Sequence, residues 1–295
     1  MGIHPRLLAL IPAVWVLAGS VSAGQAGRPP DLADVLRRVG ERVEQYFARA
    51  QSIVCLEIVG LMPMDAVGSS RGRTVVSELR LSWEPSDENP IPIEARTFRQ
   101  VLKVNGHAPR KNDRNNCTAP EQQASEVQPL SLLLPQQRDD YTFALAGTSR
   151  IDNRSAILLD YRMVDKPSVK VELVNGNENC LTFALDGGMR GRIWIDADTF
   201  DVRRMDQGLT GLVEIPLPRK IASRDRWSSW TLERWDTSIR FKPVEFQDPP
   251  ETLVLPASAT SYRITRGSGS PQLRTTTQYS SYRRFMTGAR LVPPQ

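Results

Sequence analysis

The residues that catalysis would need are sparse in this chain. Only two histidines occur, His4 and His107, and His107 follows Asn105-Gly106, a dipeptide that favours a tight hairpin turn. A Ser/His/Asp triad needs a nucleophile beside its histidine, and the segment 267–270, GSGS, lacks the G-x-S-x-G pattern of a nucleophile elbow. We interpret His107 as an exposed turn residue and expect no enzyme, no catalytic residue and no cofactor. A hydrolase with two carboxylates distant in the chain stays open as the least favoured alternative.

Three carboxylates cluster in the segment 196–201, DADTFD. Asp196, Asp198 and Asp201 have a spacing that suits calcium, whose ligands are oxygens. The EF-hand loop continues with a glycine and a later glutamate, whereas Phe200 and Val202 follow here. Because Asp favours turns through bonds to nearby backbone groups, we predict a polar turn between two strands and no metal site.

The three cysteines have different surroundings. Cys55 lies in the apolar run 53–56, which indicates a core strand with an inert buried thiol. Cys117 and Cys180 both follow Asn-rich polar segments, and no CxxC spacing points to a metal. We favour a disulfide between Cys117 and Cys180, since loop cysteines are the easier pair to bring together in an oxidising compartment. An odd number of cysteines leaves one unpaired or paired with another chain.

The N-terminus has the pattern of a cleavable signal peptide. Arg6 precedes an apolar run, 7–18, which ends in small residues up to Ala23. We expect residues 1–23 to be removed on export to the periplasm or beyond, leaving a protein that does not span the membrane. No cysteine stands at the cleavage point to carry a lipid, because the first is Cys55.

Charge does not indicate a nucleic-acid partner. Removing residues 1–23 takes away one of the 38 basic residues, Arg6, and none of the 33 acidic ones, so the formal charge falls from +5 to +4. Binding of nucleic acid would need these bases clustered in a recognisable module. The pairs Arg203-Arg204 and Arg283-Arg284 are interpreted as solvated strand faces.

Hydrophobic periodicity divides the rest into one helix and many strands. Apolar residues from Leu32 to Phe47 recur at helical spacing, which predicts an amphipathic helix over Asp31–Ala50. A second helix is possible only at Glu121–Leu134. Alternating runs predict strands at 75–84, 98–104, 141–146, 156–163, 169–174, 190–195, 202–207, 230–241, 253–263 and 273–285. Hairpin turns are predicted at Asn105-Gly106 and Asn175-Gly176.

Short polar links between successive strands favour an antiparallel meander, because parallel strands need intervening helices. An apolar sheet face must be covered, and the N-terminal helix is the available cover. We therefore predict a mainly β (α+β) fold: a curved antiparallel sheet or open half-barrel around that helix, with a second short helix as a further element. The predicted organisation is a flexible leader at 24–30, one domain at 31–288 and a tail at 289–295.

The segment 191–205, GRIWIDADTFDVRRM, resembles a hairpin of the periplasmic lipoprotein-carrier (outer-membrane lipoprotein-sorting) superfamily. The opening helix with strand 53–57 and the closing strands 255–262 and 279–285 resemble large bacterial families that share this hairpin. The resemblance implies a half-barrel whose helices cover a hydrophobic cavity. Such relatives bind acyl chains or lipoproteins and perform no chemistry. No binding residue is transferred, because shape rather than a motif defines that cavity.

Two functions follow as hypotheses. The first is an exported carrier or sensor that binds a lipid or lipoprotein in an apolar cavity. The second is a structural or protein-interaction module of the cell envelope, with a packed interior and no ligand.

Overall fold

The protein is described by a computed structural model that covers residues 31–49, 53–64, 72–82, 96–110, 113, 128–173, 181–225, 227–247, 249–268 and 272–284. Several predictions made above lie outside these residues. They are the signal peptide 1–23, the leader 24–30, the tail 289–295, the Asn175-Gly176 turn and the Cys117–Cys180 bridge.

The N-terminal helix, α1, spans Leu32–Arg49, in agreement with the predicted helix. Val35, Val39, Val43 and Phe47 share one face and are buried, because a spacing of four residues aligns them along the helix. Two 3-10 helices, Gln128–Leu133 and Pro135–Asp140, pack beside α1. A short second helix, α2, spans Arg219–Asp225.

Most of the remaining chain forms strands. Their bounds are β1 Ile53–Pro63, β2 Arg73–Ser82, β3 Arg96–Val104, β4 Tyr141–Ile151, β5 Arg154–Met163, β6 Ser168–Leu173, β7 Leu181–Asp186, β8 Met189–Asp196, β9 Val202–Leu209, β10 Val213–Pro216, β11 Ser229–Gln247, β12 Pro250–Arg266 and β13 Gln272–Arg284. The β3 hairpin turns at Asn105 and Gly106, whose φ angles of 48° and 85° fit the predicted tight turn.

The main sheet has eleven strands in the order β3-β2-β1-β13-β12-β11-β9-β8-β5-β4, with β10 added on β11. Every described pairing is antiparallel, as predicted. The pairing of β1 with β13 joins the first strand to the last, and the remaining neighbours follow chain order or skip a short insertion. The end strands β3 and β4 do not pair with each other, so the sheet stays open, as the predicted half-barrel requires.

One face of the sheet carries the core. Ile193, Met205 and Ile239 are buried neighbours on β8, β9 and β11 that face α1 and the 3-10 helices. The same face continues four residues along each strand to Met189, Leu209 and Trp235. There the hairpin of β6 and β7 covers it, with Phe183 stacked edge-on against Trp235 at a ring separation of 6.0 Å.

Close approach of Arg138 to α1 explains a glycine within the helix. A Cβ on Gly40 would lie 2.2 Å from Arg138 Nη2 and 3.1 Å from the Leu133 carbonyl oxygen. The Arg138 guanidinium donates to the carbonyls of Leu36 and Leu133, which ties the 3-10 helices to α1. A side chain at Gly40 would therefore have to displace the Arg138 guanidinium from these carbonyls, which favours glycine here despite its low helix propensity.

The structure also differs from some predicted elements. Within the predicted helix Glu121–Leu134, the described part beginning at Gln128 is a 3-10 helix, not an α-helix. β7, β10 and α2 were not predicted, because each is at most seven residues long and too short to show a clear period. Among the described residues, no helix has the length and apolar character that crossing a bilayer requires.

Candidate functional site

The residues considered first for chemistry lie far apart or are already engaged. His107 pairs with Val104 in the β3 hairpin, and its Nδ1 lies 2.8 Å from the Ala108 carbonyl oxygen. Cys55 is buried on β1, as predicted, at 2% exposure. Burial, followed by the nearby Glu57 carboxylate, raises the pKa of the Cys55 thiol to about 12. The described part of the chain contains no metal-binding group of three His, Cys, Asp or Glu side chains.

A cavity of about 550 Å³ lies between the second half of α1 and the sheet. We call it the helix cavity. Apolar or aromatic side chains from α1, the first 3-10 helix, β9, β11 and β12 form part of its wall: Val43, Tyr46, Leu130, Val202, Pro243, Leu253 and Val254. Several of these belong to the core, so the inner part of the cavity is continuous with the packed interior.

Charged side chains form the rest of the lining. Four arginines, Arg42, Arg49, Arg154 and Arg203, face two aspartates, Asp196 and Asp201, which gives these lining residues a net charge of +2. The helix cavity is therefore amphipathic, and it differs in this respect from the apolar cavity that the sequence predicted.

The turn between β8 and β9 supplies both aspartates. Asp196 accepts hydrogen bonds from the backbone N–H groups of Asp198 and Thr199, at 3.1 and 3.2 Å, which is the polar turn that the sequence predicted. Its carboxylate also pairs with Arg154, with 2.5 Å between Nε and Oδ2. Burial alone would raise the pKa of Asp196, but the hydrogen bonds from Arg154 and the turn hold it below its ordinary value.

Phe200 fixes the same turn to the helix. Its φ of 61° is unusual for a bulky residue, and the ring is nevertheless buried. The Arg38 guanidinium of α1 lies 3.7 Å from the ring centroid. Such strained positions persist where the surrounding structure determines them, and they cluster at ligand-binding sites.

Two ion pairs cross the edge of the helix cavity. Arg42 on α1 pairs with Asp201 in the turn, at 3.0 Å. Arg49 at the end of α1 pairs with Glu251 on β12, at 3.5 Å, and Arg284 on β13 also contacts Glu251. These pairs hold α1 against the sheet and largely neutralise Arg42 and Arg49.

The prediction that both arginine pairs lie on solvated strand faces is wrong for one member of each pair. Arg203 is 12% exposed and Arg284 is 14% exposed, whereas Arg283 is solvated at 64%. Successive strand residues point to opposite faces, so adjacent arginines cannot share a solvated face. Arg204 lies on the outer face, with its guanidinium over the Trp194 ring at 4.7 Å.

A second, larger concavity lies on the opposite face of the sheet. This outer groove, about 830 Å³, crosses β5, β8, β9 and β11. Three ion pairs lie along this face, Arg192 with Asp160, Arg204 with Asp206 and Arg234 with Asp236, and Arg162 and Arg190 also line the groove. All six side chains are about a third or more exposed, so these solvated ion pairs contribute little to the free energy of unfolding.

The site residues were not predicted, because no motif marks them. The helix cavity is lined by residues of α1, a 3-10 helix, a turn and five strands that are distant in the chain. The segment 196–201 was recognised as a turn, but its position against α1 depends on the fold. Both carboxylates of the lining are held in ion pairs, and its described residues combine apolar walls with a cationic edge.

No protein-family model matches the chain, and no curated protein matches it. Solved structures that are similar include an outer membrane lipoprotein-sorting protein domain from Vibrio parahaemolyticus, with 9% identity, 88% of this chain and 96% of that chain covered, and a TM-score of 0.43. A LolA superfamily protein from Nitrosomonas europaea has 11% identity, coverage of 85% and 94%, and a TM-score of 0.33. A DUF1329 family protein from Desulfovibrio piger has 11% identity, coverage of 89% and 96%, and a TM-score of 0.39.

Proposed function

We propose that this protein is an exported, non-enzymatic binding protein of the cell envelope that holds the acyl part of a lipid or lipoprotein in the helix cavity. One observation carries the proposal: a cavity of about 550 Å³ whose apolar wall continues from the core. This volume lies within the range of roughly 300–1,000 Å³ that small-molecule sites occupy.

The position of the cavity supports reversible binding. α1 closes one side, where its buried face holds it against the core, and the partly exposed ion pairs of Arg42 and Arg49 lie at the edge of the cavity. Exposed pairs are weak, so these two side chains can move aside to admit a chain at small cost. The strands on the other side belong to the continuous antiparallel sheet, which provides a fixed wall.

Export is part of the same proposal and rests on the signal-peptide pattern of residues 1–23. N-terminal sequencing of protein recovered from the periplasm should begin near Gly24. Recovery of a protein that begins at Met1 would contradict export by cleavage.

Calorimetric titration of the mature protein with dodecanoate tests acyl binding. We expect saturable binding to one site, below the concentration at which the ligand forms micelles. Val254→Trp should abolish it by filling the cavity, because Val254 is a half-buried lining residue. Leu212→Trp is the matched control, since Leu212 is 68% exposed and lines neither cavity. No binding by the unmodified protein would favour a structural or interaction module without a ligand.

A further inference from the structure

Arg203 occupies an unusual place in the wall of the helix cavity. Trp194 pairs with Arg204 and Ile195 with Val202, so Arg203 is an extra residue in β9, at a β-bulge. Bulges redirect side chains and occur often beside functional sites. Because of this bulge, Val202 and Arg203 both line the helix cavity, while Arg204 remains on the outer face.

Within the described structure, the guanidinium of Arg203 forms only a long ion pair, with the exposed carboxylate of Asp152. Its nearest carboxylate is that of Asp152, 3.8 Å from Nη2 and beyond hydrogen-bond distance. Its Nε is fully buried and has no hydrogen-bond partner among the described residues. A buried donor that makes no hydrogen bond is costly, so a ligand that accepts from Arg203 would relieve that cost.

The other lining arginines differ from Arg203. Arg42 and Arg154 each lie within 3.0 Å of an aspartate, and Arg49 lies 3.5 Å from Glu251. Arg203 is therefore the lining arginine with the longest ion pair, and it lies in the cavity wall together with Val202 and Leu253.

We propose that the helix cavity selects amphiphiles with an anionic head group, and that Arg203 binds this group while the acyl chain lies along the apolar wall. The inference rests on the proposed function, because it concerns the ligand of the same cavity. A carboxylate or a phosphate matches the fork of N–H donors on a guanidinium. Fatty acids and lipids with a phosphate head group share this chemistry.

Three ligands with the same chain test the inference: dodecanoate, dodecyl phosphate and the neutral dodecanol. Calorimetric titration should show the anions binding at least about tenfold more tightly than dodecanol, the scale expected for a hydrogen bond between charged groups. Whichever anion binds more tightly identifies the head group as carboxylate or phosphate, and either preference supports the proposal.

Variants of Arg203 and Arg204 distinguish the contribution of the head group to the binding affinity from that of the acyl chain. Arg203→Gln should lower the affinity for both anions to that for dodecanol and leave the affinity for dodecanol unchanged. Arg203→Lys should retain part of the preference and serves if the glutamine variant does not fold. Arg204→Gln is the control, since it removes the same charge from the adjacent residue on the outer face.

The outcomes distinguish this inference from the proposed function. Equal affinities of the unmodified protein for dodecanoate and dodecanol would overturn the role of Arg203 and leave acyl binding intact. An equal loss in Arg203→Gln and Arg204→Gln would also overturn it, because general charge would then explain the effect. Failure of all three ligands to bind would overturn the proposed function itself.

Discussion

Arg42 Nη2 lies 3.0 Å from Asp201 Oδ1, which connects α1 to the β8–β9 turn at the edge of the helix cavity. Because Arg42 is 41% exposed, solvent screens this pair. A double-mutant cycle with Arg42→Ala and Asp201→Ala, measured by denaturant unfolding, should give a coupling of about 0.5 kcal/mol. A coupling above about 2 kcal/mol would mean that the pair is shielded from solvent and closes the edge of the helix cavity more firmly than we infer.

Asp196 should make the folded state sensitive to acid. Its pKa is lower in the folded protein than in the unfolded chain, so its contribution to stability is present above about pH 4 and is lost as pH falls through the lowered value. Asp196→Asn should therefore destabilise the protein at neutral pH, and the difference from the unmodified protein should shrink below about pH 4. Asp198→Asn is the control, since Asp198 is 77% exposed. A difference that is independent of pH would contradict the ionic role of Asp196.

Cys55 should be inert in the native protein. A thiol whose pKa is about 12 carries almost no thiolate at pH 8, and burial also excludes the reagent. Iodoacetamide should modify Cys55 only after denaturation, as peptide mapping would show. Modification of the native protein at the rate of a free thiol would contradict its burial.

The same mapping tests the disulfide, which stays a prediction because Cys117 and Cys180 lie outside the described residues. Denatured but unreduced protein from the periplasm should contain one reactive thiol, on Cys55. Three reactive thiols would exclude the bridge.

A substitution at Gly106 measures the cost of backbone strain without any steric clash of the added Cβ. Its φ is 85°, and a Cβ added there would meet nothing within 4 Å. Gly106→Ala should therefore destabilise the protein by about 1 kcal/mol through backbone strain alone. Gly211→Ala is the matched control, because its surroundings are equally open and its φ is not positive. Equal thermal midpoints for the two variants would contradict the predicted turn geometry.

The helices and strands could be predicted from the sequence more fully than the residues that line the helix cavity. The helical spacing from Val35 to Phe47 and the alternation around Ile239 follow from periods that each segment carries by itself. The pairing of β1 with β13 joins segments at opposite ends of the described chain, and no local pattern specifies it.

Arg203 shows why site residues are harder to predict. Its place in a cavity depends on the bulge that brings Val202 to the same side and on the position of α1, and the adjacent residues predict neither. Arg203 and Arg204 are chemically identical in the sequence. Only the folded structure shows that Arg203 lines the helix cavity and that Arg204 lies on the outer face.

The most direct test of acyl binding in the helix cavity is photo-crosslinking with dodecanoate that carries a mid-chain diazirine, followed by peptide mapping. We predict labels on α1 between Arg42 and Arg49 and on the β12 segment 252–254, because both line the cavity. Excess dodecanoate and the Val254→Trp substitution should each suppress them. Labels confined to outer-groove strand segments such as 160–162 and 206–208, or labels that excess dodecanoate does not reduce, would contradict the account.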